Sequence, residues 1–177
     1  DEGYEAVISI HLAKSISGFL NNIQLLAEQM KDTIKIVPFD SQITVKLMGQ
    51  LAIEAAKLVD QGDDVDTIVD KLTKLRATIH DDFVVDDLQN LVRGGRLSNA
   101  SAFVGSILRI KPLLSFDNPN HAIEAFEKVR SMKKAKLRVE QIFDESLAKT
   151  DYPVRAYVFH AAAEEADQKC LAVLQEK

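Results

Sequence analysis

Two short β-rich runs separated by a helical segment place the strongest constraint on the fold. The run "AVISIHL" covers residues 6–12 and "TIKIVPF" covers residues 33–39, and the stretch 18–30 between them has helical composition. Strands that alternate with helices are typical of parallel sheets, because a parallel connection needs a long crossover. The first part of the chain is therefore predicted to be α/β with a parallel sheet.

Apolar residues at three- and four-residue spacing predict two further helices. One runs from Thr44 and is closed by Gly62, and the next is capped by Asp63 or Asp64. The stretch "DDFVVDD" then indicates a strand or a crossing into a new unit. We place a domain boundary near His80.

The second part mixes helices with a hairpin, and we predict an α+β domain with a mainly antiparallel sheet. The predicted elements are a short helix through Leu88 and Leu91, a helix capped by Ser98 or Asn99 that runs through Phe103 and Ile107, strands at 107–116 and 121–130 joined by the turn "DNPN", a helix at 131–149, a strand at 152–160 and a helix at 161–175. The predicted domains are therefore residues 1–80 and 81–177.

Composition excludes several classes of protein. The 177 residues include 22 Lys and Arg against 27 Asp and Glu, and the net charge of −5 argues against general nucleic-acid binding. The single cysteine, Cys170, can form no internal disulfide, so the chain suits a reducing compartment and we expect a cytoplasmic protein. No apolar run is long enough to span a bilayer, so no integral membrane segment is expected.

The inventory of reactive side chains shows no catalytic or metal motif. The four histidines are scattered without metal-ligand spacing, and neither H-E-x-x-H, C-x-x-C nor a P-loop occurs. The stretch "SISGF" is not the G-x-S-x-G nucleophile elbow. We therefore expect no metal, no cofactor and no persuasive catalytic triad.

Ser15, Ser17 and Gly18 follow a predicted strand and open a helix. Open α/β sheets bind ligands at the carboxyl ends of their strands, and a hydroxyl with helix-terminal N–H groups suits an anionic head group. A simple serine N-cap explains the same residues equally well. Both interpretations stay open.

The stretch "VRGGRL" places Gly94 and Gly95 between Arg93 and Arg96. Paired glycines permit a tight turn, and the planar guanidinium group of arginine suits a carboxylate or a phosphate. The alternative is a helix C-cap, in which Gly94 ends a helix that begins near Asp86. The C-cap is the more common arrangement.

A basic cluster opens the long helix predicted at 131–149; it comprises Arg130, Lys133, Lys134, Lys136 and Arg138. Such a cluster is usually a solvated helix face. The alternative is a docking patch for an acidic or phosphate-bearing partner.

Four stretches resemble the DegV family of bacterial fatty-acid-binding proteins. The most specific is "DDLQNLVRGGRLSNASAFVGSILRIKPLL", which resembles the family's leucine-containing helix, G-G-R, small-residue helix and I-K-P. The stretch "EKVRSMKKA" resembles the V-R-x-x-K-K-A segment that follows. "ISIHLAKSISGF" resembles a strand with an S-G-T turn, and "VPFDSQITVKLMGQLAIEAAKLVDQG" resembles a D-S strand end and its helix. The resemblance covers essentially the whole chain.

This resemblance implies a non-catalytic carrier in which two domains enclose one long-chain fatty acid. The fatty-acid carboxyl group would lie near Ser17 and Gly18. The carrier would present it to the catalytic subunit of a fatty acid kinase, which makes acyl phosphate for phospholipid synthesis. Gly94 and Gly95 would shape a loop that brings Arg96 to the head group or to the kinase.

Some positions depart from the family pattern. Phe19 replaces the threonine of S-G-T, and Thr44 and Lys46 stand where the family favours small residues. The family's opening T-D-S and closing H-T-G-P-G segments are absent, and the latter carries a histidine that helps to hold the carboxyl group. We expect a piece of a longer protein whose second domain is incomplete at its carboxyl end.

Two other functions remain open from the sequence. One is a small serine esterase with Ser17 as its nucleophile. The other is a structural or regulatory interaction domain without a ligand, in which Phe19 fills the head-group site.

Overall fold

The computed structural model describes residues 3–103, 110–162, 168, 170–172 and 174. It contains a two-stranded parallel sheet and a separate two-stranded antiparallel sheet, so the predicted fold class is confirmed. The chain divides into two compact units, residues 1–140 and 141–177.

The parallel sheet consists of β1 (Ala6–His11) and β2 (Lys35–Asp40), with His11 opposite Asp40 at the carboxyl ends. Helix α1 (Phe19–Met30) connects the two strands. Both strands and the helix were expected from the sequence. Because the strands are parallel, the two loops that follow them leave the sheet at the same edge.

Helices α2 (Val45–Asp60) and α3 (Val65–Arg76) confirm the two helices predicted from apolar spacing. Of the two candidate caps for α3, Asp64 is the one used, since its carboxylate accepts a 2.7 Å hydrogen bond from the Thr67 N–H. Thr67 also lowers the pKa of the exposed Asp64 through this bond. The cap therefore fixes where α3 begins.

After α3, residues 81–87 form no strand and make one isolated bridge, from Phe83 to Leu114. Helix α4 (Leu88–Arg93) follows, with Asp87 as its N-cap and Gly94 as its C-cap. The predicted helix end at Gly94 is confirmed.

The antiparallel sheet confirms the predicted hairpin, with β3 (Leu113–Ser115) paired to β4 (Glu124–Glu127). Strand β3 is shorter than the predicted strand at 107–116. Residues 107–109 lie outside the described part, and β3 begins only after Pro112, which has no N–H to donate to a ladder.

Ser98 and Asn99 act differently from the predicted helix caps. The Ser98 hydroxyl donates to the Ile123 carbonyl at 3.1 Å, and the Asn99 amide exchanges hydrogen bonds of 2.9 and 3.1 Å with the backbone of Ala125. These contacts hold residues Ser98 and Asn99 beside β4. A single 3₁₀ turn (Ala100–Phe103) follows, and the expected continuation through Ile107 lies outside the described residues.

Helix α5 (Met132–Leu147) confirms the predicted long helix. The strand expected at 152–160 is wrong: these residues form neither strand nor helix, and no strand pairs with them in the described chain. The last predicted helix falls partly on residues that are not described. Residues 161–162 form a bend, and residues 168, 170–172 and 174 are helical.

One hydrophobic core runs through the unit 1–140. It joins residues from both sides of His80, among them Phe39, Leu51, Ile68, Leu72, Leu88, Leu97, Leu114 and Phe116. Since this unit spans His80, a domain boundary there stays a prediction. The shared core fixes the loops after β1 and β2 against the later part of the same unit.

Candidate functional site

The candidate site lies in the turn between β1 and α1. We call residues Ser15–Gly18 the head-group turn. The N–H groups of Ile16 and Ser17 both donate to the Ala13 carbonyl, at 3.0 and 3.2 Å, so the turn has a defined backbone path. Its position after the carboxyl end of a parallel strand is one where α/β proteins bind ligands.

Ser17 makes a local hydrogen bond and keeps a donor. Its hydroxyl oxygen accepts from the Phe19 N–H at 3.3 Å, which leaves the hydroxyl proton free to donate elsewhere. The Gly18 N–H makes no hydrogen bond with any described residue. The turn therefore offers two donors, a hydroxyl and an N–H, to an acceptor such as a carboxylate.

Apolar side chains flank the head-group turn. Phe19 directly follows it with 54% of its surface exposed, and its ring lies 5.4 Å from the ring of His11. Leu12 precedes the turn at 36% exposure. Donors beside exposed hydrocarbon match an amphipathic ligand with an acidic end.

The two glycines of "VRGGRL" have different roles. Gly95 has φ +65°, and the N–H groups of Gly95 and Arg96 donate to the carbonyls of Val92 and Leu91 at 3.0 and 2.9 Å. This is a Schellman motif, which favours glycine at the left-handed position. The C-cap interpretation is thus correct, although the left-handed residue is Gly95 and Gly94 stays helical with φ −77°.

Arg96 follows this cap directly, and its side chain reaches the head-group turn. Its Nε donates to the Ile16 carbonyl at 3.3 Å, although the two residues are 80 positions apart. Arg96 is otherwise exposed. The structure thus brings Arg96 to the turn that holds Ser17 and Gly18.

A second segment holds the head-group turn from the β3–β4 hairpin. The Ser15 hydroxyl donates to the His121 carbonyl, and His121 has a left-handed φ of +46°. Asn118 supports this loop, since its Oδ1 accepts from the N–H groups of Asn120 and Ala122 at 3.2 and 3.3 Å. Sequence reasoning did not find His121, because its contribution is a backbone carbonyl placed by a loop.

The loop after β2 is fixed by its own polar groups and by hydrogen bonds from Lys14 and Arg76. Asp40 accepts from the N–H groups of Lys14 and Gln42, at 3.2 and 2.9 Å, and the fully buried Ser41 hydroxyl donates to the Ile43 carbonyl at 3.0 Å. The Arg76 guanidinium donates to the Asp40 carbonyl and lies 5.0 Å from the centre of the Phe39 ring.

Burial lowers the pKa of Arg76, and the charge of Asp40 opposes that shift. Gln42 in the same loop has φ +58°, and Val45, the first residue of α2, has φ +46°; both values are strained for residues with a Cβ, above all for the β-branched valine. The loop beside the head-group turn is thus held in a strained backbone conformation.

The basic cluster lies elsewhere on the unit. Arg130, Lys133 and Lys134 are exposed at the start of α5, where the Ser131 hydroxyl accepts from the Lys134 N–H at 3.3 Å. No contact among the described residues joins them to the head-group turn. Arg138 differs from these three, because its Nε pairs with Glu127 at 2.9 Å.

Residues His80–Phe83, which we call the crossover, collect several carboxylates. His80 pairs with Asp117 at 2.8 Å, and Asp81 accepts from the Phe116 N–H at 3.0 Å and the Ser115 hydroxyl at 3.3 Å. Burial raises the pKa of Asp81 to about 6, against the effect of these hydrogen bonds. Burial likewise raises the pKa of Asp82, and the charge of Asp117 adds to that shift.

Among the described residues, no group of three potential metal ligands occurs. Within the same part of the chain, no helix combines the length and apolar character needed to cross a membrane.

The fold defines a class: an α/β protein with a parallel sheet, whose candidate ligand site is the turn after the carboxyl end of β1. The family model described as "Uncharacterised protein, DegV family" matches residues 1–177. Protein DegV of Bacillus subtilis is 43% identical over 177 residues, which are 99% of this chain and 62% of that protein. The chain belongs to the DegV family, and it spans about 62% of the length of that relative.

Solved structures agree with this assignment. A fatty acid binding DegV family protein from Streptococcus agalactiae superposes with a TM-score of 0.88 at 38% identity, covering 99% of this chain and 60% of that one. DegV from Bacillus subtilis, a fatty acid binding protein, gives 0.86 at 41% identity, covering 99% and 61%. The Fatty Acid Kinase (Fak) B3 protein of Streptococcus pneumoniae, loaded with linoleic acid, shares the fold, with a TM-score of 0.81 at 24% identity over 99% and 62%.

Proposed function

We propose that this protein binds a long-chain fatty acid and holds its carboxyl group at the head-group turn. The observation that carries the proposal is the pair of available donors there, the Ser17 hydroxyl and the Gly18 N–H, beside exposed Leu12 and Phe19. A carboxylate accepts both donors, and charge-assisted hydrogen bonds are stronger than neutral ones. Solved DegV proteins at 38% and 41% identity are fatty acid binding proteins, which supports the same ligand here.

The free energy of binding comes mainly from the tail. Each buried methylene contributes about 0.8 kcal/mol, so a sixteen-carbon chain gains on the order of 10 kcal/mol before ordering costs. The proposed ligand lies between the part before His80 and the part after it, which already meet at the head-group turn through Arg96 and His121. A carrier of this kind needs an apolar enclosure and no catalytic group.

The second part of the proposal is presentation of the carboxyl group to a fatty acid kinase in the cytoplasm. It is supported by the fold shared with the Streptococcus pneumoniae Fatty Acid Kinase (Fak) B3 protein. Exposed cations on this chain, Arg130, Lys133 and Lys134, suit a docking surface for an acidic partner. Purified kinase catalytic subunit with full-length protein and palmitic acid should form acyl phosphate, and an Arg130→Ala/Lys133→Ala/Lys134→Ala variant should form less while it binds palmitic acid normally.

Mass spectrometry of lipid extracted from purified full-length protein tests the fatty-acid proposal. The expected result is about one fatty acid per protein molecule. A protein that carries no lipid and fails to bind added palmitic acid would contradict the proposal and would favour the interaction domain without a ligand.

Ser17→Ala tests the position of the carboxyl group. Loss of one hydrogen bond to a charged group should weaken binding of palmitic acid by roughly 1–2 kcal/mol in calorimetry. Ser131→Ala is the matched control, since Ser131 also accepts a backbone N–H at a helix start but lies outside the turn. Equal affinities of wild type and Ser17→Ala would remove Ser17 from the site.

The esterase alternative lacks an activating base within the part of the chain that the structure describes. Among the described residues the Ser17 hydroxyl makes one hydrogen bond, to the Phe19 N–H, and none to a histidine or carboxylate. A serine nucleophile needs such a base within hydrogen-bond reach. Covalent labelling of Ser17 by a fluorophosphonate probe would reverse this assignment.

A further inference from the structure

The head-group turn has no regular secondary structure, so its shape depends on contacts from outside. The peptide unit between Ile16 and Ser17 is held at both ends. Its N–H donates to the Ala13 carbonyl at 3.2 Å, and its carbonyl accepts from Arg96 Nε at 3.3 Å. Because this peptide unit immediately precedes the Cα atom of Ser17, its orientation, together with φ and χ1 of Ser17, sets the direction of the Ser17 hydroxyl.

Gly94 provides the space for this contact. A Cβ placed on Gly94 would lie 2.6 Å from Arg96 Nη1, 3.1 Å from the Asn90 carbonyl oxygen and 3.6 Å from Arg96 Cδ, so the closest approach is to the arginine. The Arg96 side chain therefore folds back over the bare backbone of Gly94 on its way to Ile16. The φ of −77° at Gly94 is open to any residue, so conformational freedom does not explain this glycine.

We infer that Arg96 is a positioning residue for the ligand carboxyl group. Arg96 acts through its hydrogen bond to the Ile16–Ser17 peptide, and Gly94 leaves the space in which the Arg96 side chain lies. The inference rests on the proposed function, because it assigns a ligand to the turn. The acting group is Nε, which points to the turn, and not the net charge of the guanidinium. The two glycines then have separate roles. Gly95 ends the helix through its left-handed φ, and Gly94 leaves space for the Arg96 side chain.

Side-chain geometry allows a direct test. Glutamine carries its amide nitrogen at the same chain position as arginine Nε, so Arg96→Gln keeps the donor and removes the charge. Lysine has a methylene at that position, so Arg96→Lys keeps the charge and removes the donor. Arg93→Gln is the control, because Arg93 is a nearby arginine at the end of α4 that contacts Gln89 and Asp87 of its own helix and cap.

The probe is palmitic acid labelled with ¹³C at the carboxyl carbon, bound to full-length protein. We expect Arg96→Gln and Arg93→Gln to bind it within about twofold of wild type, and Arg96→Lys to bind about five- to tenfold more weakly, the effect of one hydrogen bond. The carboxyl resonance should keep its wild-type position in Arg96→Gln and move in Arg96→Lys. Thermal unfolding of each variant confirms that the protein is folded.

Gly94→Ala tests the role of Gly94. In the wild-type background it should weaken palmitate binding about as much as Arg96→Lys, because the new Cβ displaces Nη1. In the Arg96→Gln background, which has no Nη1, it should have no further effect.

Three results would overturn the inference. One is a normal affinity in Arg96→Lys with a loss in Arg96→Gln, since charge would then be the active property. Another is a wild-type affinity in every variant, which would leave the proposed function standing. The third is Gly94→Ala acting equally in both backgrounds. Failure of wild-type protein to bind palmitate would instead refute the proposed function itself.

Discussion

The head-group turn and the crossover are both held by later parts of the same unit, but by different chemistry. The turn is held through neutral oxygens, with Ile16 accepting from Arg96 and Ser15 donating to His121. The crossover is held through carboxylates, with Asp81 accepting from Phe116 and Ser115. The first arrangement depends on the paths of the Arg96 and Ser15 side chains, and the second depends on protonation.

This difference predicts that pH changes the contribution of the crossover to the free energy of unfolding. Substitution of the glycine before Arg96 should instead change ligand binding at the head-group turn. A carboxylate with a raised pKa binds a proton more tightly in the folded state than in the unfolded state. Its contribution to stability therefore falls as pH rises from the unfolded pKa to the folded one. Peptide carbonyls carry no such proton.

The largest effect is expected from Asp81→Asn. The pKa of Asp81 rises from 3.8 to about 6, so its ionisation costs about 2–3 kcal/mol of stability as pH rises through that window. The amide oxygen of asparagine can still accept from Phe116, so Asp81→Asn should raise the free energy of unfolding by about that amount at pH 7 and change it little near pH 4. Urea unfolding at several pH values measures both.

Asp64→Asn is the control of opposite sign. The pKa of Asp64 is lowered by its hydrogen bonds to Thr67, so its ionised form favours the folded state above the unfolded pKa, and its replacement should not stabilise the protein at pH 7. Equal stability of Asp81→Asn and wild type at pH 7 would mean that the crossover does not titrate in this way.

Smaller effects are expected at the two Schellman glycines. Gly95 ends α4, and Gly62 ends α2 in the same way, with φ +85° and N–H donation from Gly62 and Asp63 to Val59 and Leu58. A Cβ in the left-handed region costs about 1–2 kcal/mol, so Gly62→Ala and Gly95→Ala should both lower the free energy of unfolding by that amount.

The two variants should then differ in palmitate binding. Gly95→Ala should also weaken it, because Gly95 directs the chain into Arg96, whereas folded Gly62→Ala protein should bind normally. Normal palmitate binding by Gly95→Ala would show that the α4 cap does not contribute to the binding site.

Local signals explain what the sequence predicted well. The end of α4 was predictable because Gly94 and Gly95 follow an apolar helical pattern, and the Ser17–Gly18 turn was predictable because it lies between a β-rich run and a helix. The hairpin was predictable from "DNPN". Each of these features is encoded within a few residues.

The remaining features depend on partners that are distant in sequence. Arg96 reaches Ile16 across 80 residues, and Ser98 and Asn99 have cap-like side chains that bind β4 instead. Residues 152–160 have strand-like composition, but a strand also needs a hydrogen-bonded neighbour. Local sequence supplies the donors and acceptors, and the packed core decides which of them meet.

A crystal structure of the full-length protein with bound palmitic acid tests the central claim most directly. We expect the palmitate carboxylate within hydrogen-bond distance of Ser17 Oγ and the Gly18 nitrogen, with Arg96 Nε still donating to the Ile16 carbonyl. A palmitate carboxylate bound away from residues 15–18 would contradict it.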